Sequence, residues 1–237
     1  MTTAVLLSKR EIDAARNALR RMRASCIAPW PIPWLRRLGI LGGVNLGDQL
    51  KSWDILTSAT FLLDRLPKEG PVLDIGAYAS EILCSLHRLG FTSLSGIDLN
   101  PRVLEMPYPD AIRYEVGNFL QTRFADDSFD AVTAISVIEH GLDTPRLLRE
   151  VSRLLRPGGY FIASFDYWPE KIDTHGVKIF GMDWTIFSKD EVLDLFRIAS
   201  RYGLVPVEDI ALEAGDRVIN WGGKKYTFAW IALRKNH

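Results

Sequence analysis

The run Pro71-Val72-Leu73-Asp74-Ile75-Gly76-Ala77-Tyr78-Ala79-Ser80-Glu81 constrains the fold of this chain more than any other stretch. Val72, Leu73 and Ile75 form a short apolar segment with β-branched residues, the pattern of a strand buried on both faces. Gly76 and the small residues after it make a tight turn. Behind the turn, Ile82, Leu83, Leu86 and Leu89 recur at helical spacing. Strand, turn and helix in that order put the turn at the carboxyl end of a parallel strand, where open α/β sheets bind their ligands.

The rest of the chain alternates in the same way. Ser8-Lys9-Arg10-Glu11 fits a capping box, and Ile12, Ala15, Leu19 and Met22 share a face, which predicts a helix over 9–25. Pro29-Trp30-Pro31-Ile32-Pro33-Trp34 reads as an extended segment with two large anchors. Its expected role is to strap the terminal helix to the core; covering a ligand and dipping into a membrane interface are the alternatives. A second helix is expected over Leu50 to Leu66, and Pro101 suits the first turn of another. Strands are expected at Leu94–Asp98, Ala111–Val116, Phe129–Val137 and Tyr160–Phe165, with helices over Thr144–Leu155 and Ser188–Ser200. Residues 166–187 read as irregular, and Val205–Leu212 and Tyr226–Leu233 as two final strands. This alternation predicts a parallel sheet with right-handed crossovers whose last strand runs antiparallel.

A chain of 237 residues, 47% of them hydrophobic, buries one substantial core. The expectation is a single domain: residues 1–49 form an amino-terminal helix and Trp/Pro strap acting as a lid, and 50–237 form the core, with an insertion at 166–187. Basic and acidic residues balance at 29 each, so no overall field draws the chain to nucleic acid. The first 40 residues are nevertheless basic, with eight Lys and Arg against Glu11 and Asp13. Cys26 and Cys84 are too few for a disulfide framework or a zinc site. No apolar segment approaches a membrane span, and Met1 to Leu7 lacks the order of a secretory signal, so a cytoplasmic location is expected.

Asp98 lies at the end of the second expected strand, 22 residues beyond Gly76. A strand-end glycine turn followed by such an acid is the general nucleotide-ligand pattern, the acid accepting from two ribose hydroxyls. A dinucleotide site would want G-x-G-x-x-G. Tyr78 and Glu81 stand at the second and third glycine positions, and both a bulky ring and a carboxylate there disfavour a diphosphate. Neither disfavours a cationic or zwitterionic ligand.

Val72-Leu73-Asp74-Ile75-Gly76-Ala77, Gly96-Ile97-Asp98, Gly117-Asn118-Phe119, Phe129-Asp130-Ala131-Val132 and Leu155-Arg156-Pro157-Gly158-Gly159 occur in this order. In motif and spacing the chain resembles the class I S-adenosylmethionine-dependent methyltransferases, nearest the methyltransferase type 11 group, over about residues 54–202. The resemblance implies a Rossmann-like α/β fold with a seven-stranded sheet, order 3-2-1-4-5-7-6 and strand 7 antiparallel. It implies S-adenosylmethionine as cofactor and S-adenosylhomocysteine as product. Carried over by position, Asp74 and Gly76 would hold the methionine moiety, with Ala77 and Tyr78 in the same turn. Asp98 would bind the ribose diol, with Leu99 beside it. Asn118 and Phe119 would meet the adenine, and Ser136 would lie in the segment passing under the methyl group. Tyr78 and Ser80 depart from the family's D-x-G-x-G-x-G.

Methyl transfer from a sulfonium is an in-line displacement in which the enzyme aligns the partners and excludes water. An oxygen nucleophile also needs a proton acceptor. His140, delivered by the fourth strand, is the first candidate base and His175, in the insertion, the second. Glu139, Asp166 and Trp184 are candidates for acceptor contacts. Asp166, Asp173 and His175 match no strong metal-ligand spacing, and no metal is expected. Gly181-Met182-Asp183-Trp184-Thr185-Ile186-Phe187-Ser188 resembles type 11 enzymes found with surface-polysaccharide synthesis. The expected reaction is therefore O-methylation of a sugar, glycan or other small-molecule hydroxyl. The alternatives are a methyltransferase for a non-sugar metabolite and a cofactor-binding scaffold without turnover. Nucleic acid is not expected as acceptor, because Ser136-Val137-Ile138-Glu139 stands where many such enzymes carry Asn/Asp-Pro-Pro-Tyr/Phe.

Overall fold

A computed structural model describes residues 3–179 and 181–236. In chain order the elements are β1 (Thr3–Val5), α1 (Lys9–Arg21), α2 (Ile32–Arg37), α3 (Ser52–Arg65), β2 (Val72–Ile75), α4 (Ile82–Arg88), β3 (Leu94–Asp98), β4 (Ile112–Val116), β5 (Phe129–Ile135), α5 (Thr144–Leu154), β6 (Leu155–Tyr167), β7 (Lys178–Ile179), β8 (Met182–Asp183), α6 (Lys189–Ser200), β9 (Leu204–Pro206), β10 (Ile219–Trp221) and β11 (Lys224–Lys235). The architecture is α/β with mostly parallel central strands, and it divides into two compact units: Ile12–Phe119, and Met1–Glu11 together with Leu120–His237.

In the unit Ile12–Phe119 the strands lie in the order β4-β3-β2, all parallel, with Ile75 opposite Ile97 and Asp98 opposite Val116. β2 is buried at all four positions, as a strand covered on both faces must be. Gly96 is required in β3: a Cβ there would come within 2.9 Å of Ala77, Leu83 and Tyr114 side-chain atoms, so its absence lets the turn and α4 close onto the strand. α1 ends at Arg21 rather than 25. Arg23 takes a left-handed conformation (φ 58°), and the Ala24 N–H returns to the Leu19 carbonyl, closing the helix in a Schellman-type turn.

In the other unit β5 and β6 are parallel and β11 runs antiparallel to β6. The far edge of β11 carries β9 at Leu233–Lys235 and β1 at Ala229–Ile231. Each unit therefore follows its part of the expected order, 3-2-1 in one and 4-5-7-6 in the other. The strand count differs: β1 and β10 add to the sheet edge, and β7 and β8 form a hairpin inside the segment expected to be irregular. β6 also starts earlier than Tyr160. Leu155 already pairs with Phe129, and Arg156-Pro157-Gly158-Gly159 is absorbed as a bulge before Tyr160 meets Ala131.

Three further expectations are corrected. The Trp/Pro segment is not extended, because Pro31 and Pro33 sit at a helix start, where a missing N–H does no harm, and α2 follows. Its tryptophans are turned largely to solvent, Trp30 83% and Trp34 53% exposed. Pro101 opens only a 3₁₀ turn, Pro101–Glu105.

Candidate functional site

The turn after β2 is built by hydrogen bonds to β3. The Gly76 and Ala77 N–H groups both donate to the Ile97 carbonyl, at 2.9 and 3.2 Å. The Tyr78 N–H donates to Asp98 Oδ2 at 2.9 Å, and the Asn100 N–H to Asp98 Oδ1 at 2.7 Å. The left-handed positions of the turn are Gly76 (φ 71°) and Ala79 (φ 62°). Tyr78 and Ser80, which stand where the resemblance implies glycines, carry no such strain. Asp74 is fully buried at the strand end. Leu99 is 57% exposed beside Asp98, and the Arg102 guanidinium lies 5.6 Å from the centroid of the Tyr78 ring. The Gly117 N–H donates to the Asp98 carbonyl at 2.9 Å, which brings the end of β4, with Asn118 exposed and Phe119 buried, to the same strand ends. Asp74, Gly76, Ala77, Tyr78, Asp98, Leu99, Asn118 and Phe119 thus gather at one sheet end.

The residues fit an adenosyl ligand with a charged amino-acid tail. A carboxylate offers about four acceptor positions, and each Asp98 oxygen spends one on a backbone N–H, leaving a lone pair on both for a diol. A cavity of about 630 Å³ lies at the opposite ends of β3 and β4, lined by Thr92 to Ser95 and Asp110 to Tyr114, away from this chemistry.

Glu81 is the residue whose role sequence reasoning missed. Its carboxylate is 1% exposed and takes a two-pronged ion pair from Arg16, NH1 to Oε1 and NH2 to Oε2, both at 2.8 Å. The Cys26 N–H adds a third bond at 2.6 Å. Arg16 also donates to Ser52 Oγ at 2.8 Å and Ser25 Oγ at 3.0 Å. The charge of Glu81 is therefore matched inside the protein, and it does not by itself disfavour a diphosphate at the turn; the bulk of Tyr78 still does. One signal was available in the sequence: Arg16 falls on the buried face of α1 among Ile12, Ala15 and Leu19. The same carboxylate seats the segment before α3. The Gly47 N–H donates to the Ala79 carbonyl at 2.8 Å, and a Cβ on Gly47 would lie 2.9 Å from Glu81 Oε2. Close by, the two thiols interact: hydrogen bonding from Cys84, with help from Arg88, lowers the Cys26 thiol pKa, and the same bond together with burial raises that of Cys84.

The remaining candidates lie in the other unit. Ser136 follows β5 in a left-handed conformation (φ 55°), its N–H bonded to the Ser164 carbonyl at 2.9 Å. Backbone strain of this kind in a non-glycine residue collects at working sites. His140 is half-buried in the next turn, its N–H reaching the Val137 carbonyl at 3.2 Å. Glu139, Asp166 and Trp184 are brought together by the insertion. The Thr185 N–H donates to the Glu139 carbonyl at 2.8 Å, and the Phe187 N–H to that of Asp166 at 2.9 Å. Trp184 Nε1 donates to Asp166 Oδ2 at 2.8 Å. Burial raises the Tyr226 pKa well above the usual phenol range, with the charge of Asp166 and a hydrogen bond to it adding to the shift. Glu139, Asp166 and Trp184 are all buried, at 2, 6 and 2% exposure. His175 is exposed, its N–H capped by Asp173 at 2.9 Å. Among the described residues no group of three His, Cys, Asp or Glu is placed to hold a metal ion.

Trp184 is the keystone of the insertion, touching Trp221 and Tyr226 edge-on at 5.5 and 5.7 Å. Trp184→Ala is expected to lower stability by about 3–5 kcal/mol, read from the urea midpoint. Trp184→Phe, which keeps most of the packing and removes one donor to Asp166, should lower it by about 1–3 kcal/mol.

Residues 73–163 match the family model described as a methyltransferase domain. The chain is 36% identical over 75 residues to the demethylmenaquinone methyltransferase of Symbiobacterium thermophilum, covering 28% of this chain and 30% of that one. It is 31% identical over 100 residues to a ubiquinone biosynthesis O-methyltransferase of Xanthomonas oryzae pv. oryzae, covering 39% and 41%. The chain thus spans less than half the length of these relatives. Among solved structures it resembles the geranyl diphosphate C-methyltransferase of Streptomyces coelicolor, determined with Mg²⁺, geranyl diphosphate and S-adenosylhomocysteine. That likeness has a TM-score of 0.55 at 22% identity, covering 82% of this chain and 91% of the other. The ordered motifs, the turn held by Asp98 and the matched segment agree: residues 73–163 of this chain are similar to a methyltransferase domain, and the solved neighbour shares its fold.

Proposed function

We propose that this protein transfers the methyl group of S-adenosylmethionine to a hydroxyl of a sugar, glycan or other small molecule in the cytoplasm. The observation that carries the reading is Asp98, whose two oxygens brace the glycine turn while keeping acceptor capacity for a diol. Bound S-adenosylmethionine would supply an activated methyl group. The chain's own part is to hold and orient. Fully buried Asp74 favours positive charge at the turn, Leu99 and Phe119 give apolar cover to a base, and Asn118 offers an amide oxygen to an exocyclic amine. The segment from α1 to Gly47, tied to the turn through Glu81 and Ala79, serves as the lid that keeps water away.

His140 accepts the acceptor's hydroxyl proton in this reading, and Glu139, Asp166 and Trp184 shape the acceptor side. Relatives named as O- and C-methyltransferases agree with the reaction class. The test is methyl transfer from labelled S-adenosylmethionine across sugars, glycans and phenolic or aliphatic alcohols. His140→Gln is expected to lower kcat by about 10²–10⁴-fold while KM for the acceptor stays close to wild type. Cofactor binding with no transfer to any acceptor would favour the scaffold reading instead.

A further inference from the structure

We infer that the segment from the end of α1 through Leu41 is a docking surface for an anionic lipid bilayer. Among residues 20–47 there are five arginines, Arg20, Arg21, Arg23, Arg36 and Arg37, and no aspartate or glutamate, although the whole chain is neutral. This same segment presents large apolar side chains to solvent: Trp30, Trp34, Leu38, Ile40 and Leu41 are 83, 53, 54, 63 and 42% exposed, and α2 buries none of its residues. Trp34 and Leu38 are one helical turn apart, with the Leu38 N–H on the Trp34 carbonyl at 3.0 Å. The chain then doubles back, the Ile40 N–H bonding the Leu35 carbonyl at 2.9 Å, so Ile40 and Leu41 are held at the end of α2 beside Arg36 and Arg37.

Five large apolar side chains exposed within twelve residues point to an interaction surface. Its chemistry selects the occupant. Tryptophan with aliphatic side chains and arginine in one segment is the composition that settles at the headgroup–acyl boundary of acidic membranes. Each arginine near such a surface adds attraction that salt screens. Leu38, Ile40 and Leu41 offer nothing to stacked bases, which disfavours nucleic acid as the occupant. No helix among the described residues is long and apolar enough to cross a membrane, so the contact is peripheral. Arg36 is fixed by bonds to the Gly42 and Val44 carbonyls, which keeps the loop rigid and its apolar tips presented. The inference stands apart from methyl transfer and survives if that reading fails.

The test is co-sedimentation of the full chain with vesicles of phosphatidylcholine alone and of phosphatidylcholine with phosphatidylglycerol. Binding is expected on the acidic vesicles, at least tenfold weaker on neutral ones and weakened again by about 0.5 M salt, with a blue shift of tryptophan emission. Trp30→Ser/Trp34→Ser should weaken binding roughly tenfold or more and abolish the shift, and Arg37→Glu should weaken binding comparably, each with an unchanged urea midpoint. Equal binding by these variants, or no binding to acidic vesicles, overturns the inference. So does finding that this face instead closes a dimer lost in Trp30→Ser/Trp34→Ser, or holds RNA in a salt-dependent way.

Discussion

Asp98→Ala is expected to weaken S-adenosylhomocysteine binding by about 10²–10⁴-fold in a calorimetric titration, because two charge-assisted hydrogen bonds of about 1.5–3 kcal/mol each would be lost. The loss has a second part. Asp98 also holds the Tyr78 and Asn100 N–H groups, so the alanine variant leaves the glycine turn without its brace. Asp98→Asn separates the two contributions: one amide oxygen can serve one backbone N–H but cannot also stand in for both carboxylate oxygens. Its expected affinity lies between wild type and alanine. An alanine variant that binds like wild type would place the adenosyl site somewhere other than the end of β3.

Arg16→Met is expected to lower stability as much as Trp184→Ala does. It strands the Glu81 carboxylate, 1% exposed, with only the Cys26 N–H of its present partners, and removing one member of a buried pair typically lowers stability by about 3–5 kcal/mol. The urea midpoint should fall accordingly at unchanged m-value. Arg16→Lys should recover little, because an ammonium cannot bridge both carboxylate oxygens while reaching Ser25 and Ser52. Arg16→Met/Glu81→Leu should recover most of the loss, since the uncompensated charge goes with its partner. If the single and double variants unfold at the same midpoint, the pair is not what seats α1. The same variants are expected to lower cofactor affinity, since Glu81 begins directly after the turn and the Gly47 and Ala79 contact depends on it.

The fold was legible wherever local pattern and buried pattern coincide. β2 ran as read, at Val72–Ile75, because a strand covered on both faces is written as a mostly apolar run, and β3 followed at Leu94–Asp98. The capping box of α6 was equally plain, with Ser188 Oγ and Glu191 reciprocating. Elements whose partners are remote in sequence were not. β1 exists because Thr3–Val5 finds the open edge of β11 more than 220 residues later, and three residues carry too little pattern to announce a strand. The Trp/Pro segment misled for a different reason. Large aromatics near proline usually mark packing, yet here the prolines start α2 and the tryptophans face outward.

The amino-acid sequence alone determined the class of fold, through periodicity and glycine turns, both of them short-range. The order of strands came as what the resemblance implies, and the position of Asp98 pointed to the sheet end proposed for the ligand. Tertiary structure alone decided that Glu81 answers Arg16 rather than a ligand, that Asp166 is bonded by Trp184 and Tyr226, and that Trp30 and Trp34 meet solvent. A charge or a ring has no fixed role until its neighbours in space are known, because burial and partner set the sign of its contribution, and those neighbours come from distant parts of the chain.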